Sequence, residues 1–152
     1  MPGVAVTGDV IVGFPGEDAE AFRSTYELVE SLPLAGLHVF SYSRRSGTDA
    51  AGYADQVSKG VKIERSRALR GLAAQKAQAF RQRAVGDLLE VVVLRQDGLA
   101  GLLEGLSDNY LRVWFPGDVA LRGSVVRVRV DSAATRGVLG SLVPTRASVS
   151  PS

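Results

Sequence analysis

The sequence contains no cysteine among its 152 residues, and it has a single histidine, His38. Without thiols, neither a disulfide framework nor a thiolate-bound metal or cluster can form within this polypeptide. A lone histidine also argues against a histidine-based metal site. We therefore predict no metal ligands in this chain, and we interpret His38 as a structural strand residue because the sequence names no partner for it.

Long apolar runs are missing as well. No uninterrupted apolar segment reaches the length needed to span a membrane, and the N-terminus lacks the basic-then-apolar pattern of a secretory signal. The interpretation is a soluble cytoplasmic protein without a membrane partner. Apolar residues still make up 45% of the chain, which is enough to build a folded core.

The net charge of +2 conceals an uneven distribution of charge along the chain. Residues 1–58 hold three basic and eight acidic side chains, whereas residues 59–86 hold eight basic and one acidic. The remainder, residues 87–152, is balanced at seven of each. The middle segment is therefore the part most attractive to phosphate.

Residues 7–58 have the pattern of a strand, a helix and a second strand. An apolar run closed by glycines and a proline predicts the first strand at Asp9–Phe14. Asp18 is the predicted N-cap of the helix, and Pro33 ends it. The second strand is predicted at Leu37–Tyr42, and this order favours a right-handed crossover with a parallel strand pair. The predicted apolar face of the helix comprises Phe22, Tyr26 or Thr25, Val29 and Leu32.

Residues 59–83 have the pattern of one long basic helix. Its apolar stripe comprises Val61, Ala68, Leu69, Leu72, Ala73, Ala79 and Phe80. Its basic side chains, which occupy mostly the other positions, are Lys62, Arg65, Arg67, Arg70, Lys76, Arg81 and Arg83. Two interpretations stay open for these cations: a solvated face between two domains, or direct contact with phosphate by part of the face.

Residues 84–143 are predicted to be all-β. About five short strand-favouring runs in about sixty residues indicate a small closed barrel of the oligonucleotide-binding type. Strand alternation places Tyr110, Arg112 and Trp114 on one face, opposite Leu111, Val113 and Phe115. In a later strand Arg127 and Arg129 oppose Val126, Val128 and Val130. The polar residues 144–152 are predicted to form a disordered tail.

Five segments carry a resemblance to a known family: TGDVIVGFPGE from Thr7, LHVFSYSRRSGTDAA from Leu37, DQVSKGVKIERSRAL from Asp55, GLSDNYLRVWF from Gly105 and LRGSVVRVRV from Leu121. Together they closely resemble the C-terminal part of the radical SAM methylthiotransferases. The resemblance implies an α/β plus all-β fold, with the end of a radical SAM (β/α) barrel over 1–58, a basic linker helix over 59–83 and an RNA-binding TRAM domain over 84–143. The residue pattern HVF-YS-R-GT-AA, which begins at His38, favours the subgroup that modifies threonylcarbamoyladenosine beside the tRNA anticodon.

The resemblance also implies S-adenosyl-L-methionine and two 4Fe-4S clusters as cofactors. The cysteines that hold those clusters belong to regions upstream of this chain. No catalytic residue can therefore be carried over, no cluster can bind this chain alone, and the chain by itself is predicted to be inactive. The residues implied in cofactor binding are Ile11, Val12, Gly13, Glu17, Phe40 and Tyr42. Ordinary turn formation by the glycine and barrel packing by the aromatic residues remain open alternatives.

The implied partners are tRNA and, as a separate chain, the missing N-terminal part. The residues expected to contact RNA are Arg44, Arg45, Tyr110, Arg112, Trp114, Arg127 and Arg129. Structural roles for the two adjacent arginines, and core packing of Trp114, remain alternatives at this stage. A free-standing RNA-binding TRAM protein and a non-functional gene remnant are the competing functional hypotheses.

Overall fold

The computed structural model describes residues 3–96 and 101–144, which form two compact units. One unit comprises residues 5–79, and the other combines residues 3–4 with 80–96 and 101–144. The elements in chain order are β1 (Thr7–Val12), α1 (Ala19–Ser31), β2 (Gly36–Ser41), α2 (Asp49–Gly52), α3 (Lys59–Arg83), β3 (Leu88–Gln96), β4 (Leu103–Ser107), β5 (Arg112–Phe115), a 3₁₀ turn (Val119–Leu121), β6 (Val125–Ala134) and β7 (Gly137–Leu142). The predicted disordered tail lies, after Pro144, outside the described residues.

The first unit contains the predicted parallel pair. β1 and β2 run parallel with Val10 opposite Val39. The expected end of the first strand was wrong by two residues: β1 stops at Val12, short of the predicted Phe14. Gly13 adopts a φ of +71°, a left-handed conformation that glycine enters without steric cost, and this turn ends the strand.

Helix α1 covers one face of the sheet. The side chain of Asp18 accepts a hydrogen bond from the Ala21 N–H at 2.8 Å, so the predicted N-cap is confirmed. Val29 is buried, and Phe22 and Tyr26 pack against the same core. Leu32 was wrongly assigned to the apolar face: it is the C-cap residue, has extended backbone angles and is 40% exposed.

Helix α3 begins and ends where the pattern predicts. Leu69 and Leu72 are buried in the core of the first unit together with Val12. Phe80, beyond the boundary between the units, packs instead against the barrel core. The expectation that Arg65 lies on an exposed basic face was wrong, since this residue is only 9% exposed. Its charge is buried because a carboxylate pairs with it, as described below.

The second unit is the predicted small closed barrel, with strand order β3-β4-β5-β7-β6. The expected alternation is confirmed, since Leu111, Val113 and Phe115 are buried. The sequence patterns did not predict β7. This strand pairs parallel with β5 and antiparallel with β6, and it thereby closes the barrel. Gly105 permits tight closure, because a Cβ atom there would lie 2.3 Å from Val91 Cγ1.

Candidate functional site

The face of the sheet that α1 and α3 do not cover carries an apolar patch. Ile11 and Phe40 lie directly opposite each other in the β1–β2 register, and they are 57% and 52% exposed. Phe14 continues the patch at 45% exposure and contacts the Tyr42 ring edge-on at 5.3 Å between centroids. Parallel sheets are normally covered on both faces, so this uncovered aromatic face is a candidate contact surface.

The uncovered face opens into a groove of about 450 Å³ at the carboxyl ends of the two strands. Ile11, Phe14, Phe40, Tyr42 and Arg45 are among the residues that line it. The Tyr42 hydroxyl is buried and has no hydrogen-bond partner in the described residues. The groove therefore combines flat apolar surface with the cation of Arg45, and this composition suits a ligand that has both an aromatic ring and an anionic group.

The structure brings together only three of the residues expected to bind a cofactor: Ile11, Phe40 and Tyr42. The other three lie elsewhere. Val12 is fully buried in the core beneath the helices. Gly13 lies against the Lys62 side chain, whose Cγ would be 2.4 Å from a Cβ atom added to the glycine. Glu17 pairs with Arg65 instead of facing the groove.

A polar pair lies on the same uncovered face, two residues before Ile11 and Phe40 along each strand. His38 Nδ1 lies 2.9 Å from Asp9 Oδ1 across the parallel register, and both side chains are exposed. Sequence reasoning named no partner for His38. The partner, Asp9, is identified by the register of the strand pair, and that register depends on the tertiary fold.

The two edges of the sheet differ. On the β2 side, Arg70 Nη2 donates to the Val39 carbonyl at 3.3 Å, and Lys62 Nζ donates to the Tyr42 carbonyl at 3.2 Å. On the other side, β1 has no second strand neighbour within the described residues. A further strand could therefore add to β1, whereas side chains of α3 already cover the opposite edge.

The barrel presents Tyr110 at the β4–β5 turn. The residue is 79% exposed, and its φ of +61° is left-handed. The turn is held by Ser107, whose hydroxyl accepts from the Leu111 N–H at 2.9 Å, and by the Tyr110 N–H, which donates to the Ser107 carbonyl at 3.0 Å. The left-handed conformation of this tyrosine costs about 1 kcal/mol, and the exposed ring gains no burial to offset it.

Arg112 and Trp114 lie on the outer face of β5, but neither is fully available. Arg112 Nε lies 3.4 Å from Glu104 Oε1, and the other carboxylate oxygen of Glu104 accepts from Arg95 at 3.1 Å. Trp114 is half-buried over Gly137, with its Nε1 buried and without a partner in the described residues. Trp114 does not belong to the barrel core cluster.

The remaining residues expected to contact RNA form separate groups. Arg127 and Arg129 are exposed on β6, which pairs with β3 and β7 and not with β5. Arg129 also donates to the Gly86 carbonyl at 3.3 Å. Arg44 and Arg45 are exposed just after β2, in the other unit. The barrel thus has one cation–aromatic group around β5 and one cationic group on β6.

Among residues 3–96 and 101–144, no group of three or more histidine, aspartate and glutamate side chains could hold a metal ion. Over the same ranges, no helix is both long and apolar enough to cross a membrane.

Comparison with known proteins finds relatives of this chain, although no family model matches it. The chain is 39% identical over 136 residues to the threonylcarbamoyladenosine tRNA methylthiotransferase MtaB of Bacillus subtilis. This match covers 88% of the chain and 30% of that protein. It is 35% identical over 147 residues to the tRNA-2-methylthio-N(6)-dimethylallyladenosine synthase of Maricaulis maris, covering 97% of the chain and 32% of the relative. The corresponding synthase of Pelobacter propionicus is 37% identical over 143 residues, covering 94% and 32%.

The matched region therefore takes in nearly all of this chain and about a third of each relative. Proteins named for two different modified adenosines match at similar identity, so the comparison identifies the family and not the subgroup. Over the part of those proteins that it spans, this chain belongs to the tRNA methylthiotransferase family.

Proposed function

We propose that this chain is the C-terminal part of a tRNA methylthiotransferase that adds a methylthio group to threonylcarbamoyladenosine next to the anticodon. In this proposal residues 1–58 end a radical SAM (β/α) barrel, residues 59–83 form the basic helix and residues 84–143 form the TRAM domain. Radical SAM chemistry occurs only when the missing N-terminal part is present. Without it, the chain has no methylthiolation activity.

One observation carries the proposal: the exposed Ile11–Phe40 pair lies on a sheet whose β1 edge has no further strand among the described residues. A finished domain of this class does not leave an aromatic face and a strand edge uncovered together, because exposed apolar area and unpaired backbone groups both cost free energy. Additional parallel strands would cover the edge and would enclose the Ile11–Phe40 face. That arrangement is the interior of a barrel, open at the carboxyl ends of its strands.

The residues of the groove fit S-adenosyl-L-methionine in part. Ile11, Phe40 and Tyr42 offer the flat apolar contact that an adenine ring needs, and a bound S-adenosyl-L-methionine would supply the carbon radical of the family reaction. The iron–sulfur clusters do not fit this chain, which has no cysteine to hold them. The separate N-terminal part is therefore the proposed source of both clusters.

In the proposed complex the barrel holds tRNA. Tyr110 supplies a face on which a single-stranded base stacks, and Arg112, Arg127 and Arg129 supply charge toward phosphates. Arg44 and Arg45, at the end of β2, contribute two further cations at the groove. A tRNA substrate also implies that the protein works in the cytoplasm.

The test is expression of the chain in a bacterium that lacks its own methylthiotransferases, with and without a polypeptide that carries the cysteine-containing domains of a relative. Mass spectrometry of digested tRNA measures 2-methylthio nucleosides. We expect none from the chain alone, and 2-methylthio-threonylcarbamoyladenosine when both polypeptides are present. Methylthiolation of dimethylallyladenosine instead would refute the substrate assignment. No product, together with no binding of tRNA by the chain, would refute the function.

A further inference from the structure

The basic side chains of α3 do not form one uniform surface. Several of them bond to groups of their own unit. Arg65 Nη1 donates to the Glu17 carbonyl at 2.8 Å, and Lys76 Nζ donates to the Glu30 and Leu32 carbonyls at 2.7 and 2.6 Å. Lys62 covers a backbone carbonyl after β2, as described above. These side chains hold α3 onto the sheet and cap the end of α1, so their N–H groups are partly used within the unit, and the charge of Arg65 is paired with the Glu17 carboxylate.

Arg67 differs from these residues. It is exposed, and it has no hydrogen-bond or ion-pair partner among the residues that the structure describes. Together with Arg70 it lines a groove of about 510 Å³, whose other lining residues are Ser41, Ile63, Ser66 and Gly71. No carboxylate is among them. The acidic residue in the same stretch of helix, Glu64, lies on α3 outside this lining.

The groove also contains an unused hydrogen-bond donor. Ser41 Oγ and Ser66 Oγ lie 2.7 Å apart, and one hydroxyl must donate to the other. Neither hydroxyl has another partner within the described part of the chain, so one proton of the pair has no protein acceptor. Arg70 donates one N–H to the Val39 carbonyl, and the other N–H groups of its guanidinium have no partner within the described residues.

We propose that Arg67 and Arg70, with the Ser41–Ser66 hydroxyl pair, form a binding site for a phosphate of an RNA backbone. Two guanidinium groups and a hydroxyl donor, with no carboxylate lining the groove, match an anion with several acceptor oxygens. Ile63, which is 50% exposed, gives the sugar an apolar contact. The inference rests on the proposed function and adds an RNA contact on α3, in addition to those of the barrel and of Arg44 and Arg45.

The site can be blocked without disturbing the fold. A Cβ atom added to Gly71 meets no atom within 4 Å, so Gly71→Glu places a carboxylate beside the groove without a backbone clash. Gly60 lies on the same helix, is equally open and is outside the groove, so Gly60→Glu is the matched control for net charge. Arg67→Gln removes one cation and keeps a polar side chain. Far-UV circular dichroism should report unchanged helix in all three variants.

Binding is measured by fluorescence anisotropy with a labelled anticodon stem-loop RNA between low and high salt. We expect Arg67→Gln to weaken binding by roughly three- to tenfold and to lower the slope of log K against log salt by about 1. Gly71→Glu should weaken binding at least as much, and Gly60→Glu should weaken it clearly less. Equal effects of the two glutamate variants would overturn the proposed site, because only general charge would then matter.

The failure of this site can be told apart from the failure of the proposed function. If Tyr110→Ala weakens binding of the stem-loop while Arg67→Gln and Gly71→Glu leave affinity and salt slope unchanged, the groove does not bind phosphate although the barrel binds RNA. If the unaltered chain binds no stem-loop at any salt concentration, both proposals are refuted.

Discussion

Arg65 on α3 donates through Nη1 to both the side-chain carboxylate and the main-chain carbonyl of Glu17. The same carboxylate oxygen accepts from the Gly13 N–H at 3.0 Å. Both charged side chains are nearly buried, at 11% and 13% exposure. One ion pair therefore fastens the turn after β1 to a helix that begins more than forty residues later.

Replacing Glu17 with Gln should destabilise the first unit by about 3 kcal/mol, because Arg65 would keep a nearly buried charge without its counter-ion. The measurement is thermal unfolding followed by far-UV circular dichroism, which reports mainly α1 and α3. Glu20→Gln, on an exposed position in the first turn of α1, is the control. An equally small effect of both variants would show that the ion pair does not stabilise the unit.

Replacing Tyr110 should have opposite effects on stability and on RNA binding. Tyr110→Gly removes the cost of the left-handed conformation, so the barrel should gain up to about 1 kcal/mol. The same change should weaken binding of an anticodon stem-loop by roughly 1–3 kcal/mol, since a stacking surface is lost. Barrel stability is followed by the fluorescence of Trp114, the only tryptophan of the chain.

Tyr110→Phe is the control for this pair of effects, because it keeps the aromatic face and the backbone strain. It should bind RNA like the parent chain and gain no stability. If Tyr110→Gly binds the stem-loop as tightly as Tyr110→Phe, the ring does not stack on a base.

The uncovered aromatic face should make the isolated chain associate or bind apolar dyes. Phe40→Ser should reduce both effects with little loss of stability, because Phe40 is 52% exposed. Leu28→Ser is the matched control: Leu28 is 58% exposed on α1, away from this face. Analytical ultracentrifugation and dye fluorescence are the measurements. Equal improvement by both variants would mean that general hydrophobicity, and not this face, drives association.

Gly105→Ala should destabilise the barrel by about 1–3 kcal/mol, because the added methyl group would lie 2.7 Å from the Val92 carbonyl oxygen and closer still to Val91. The shift would appear in the Trp114 fluorescence transition. Gly71→Ala, where the new methyl group meets nothing, should instead be neutral or slightly stabilising. An unchanged transition in Gly105→Ala would show that the barrel wall can move apart at little cost.

Much of the local structure could be read from the sequence, because local rules decide it. The Asp18 cap, the limits of α3 and the alternation of Leu111, Val113 and Phe115 all follow from short-range periodicity and capping chemistry. The end of β1 did not follow, because the turn at Gly13 competes with an apolar run that continues to Phe14. The strand β7 was not named either, since its short, glycine-containing run gives a weak pattern.

The candidate sites depended more strongly on the tertiary structure. Periodicity alone cannot tell a cation that faces solvent from one that reaches back to a carbonyl, so Arg67 and Arg65 look alike in sequence, although one is exposed and the other is buried. Cross-strand register likewise brought Asp9 to His38 and Arg112 to Glu104.

By itself, the sequence determined most of the helices and strands and the protein family that the motifs resemble, because helix caps, strand alternation and motif order are properties of neighbouring residues. Only the tertiary structure decided which charges are used within the fold and which remain available to a ligand. The physical reason is that a long basic side chain reaches several ångströms, and its partner depends on which distant segment the fold brings within that reach.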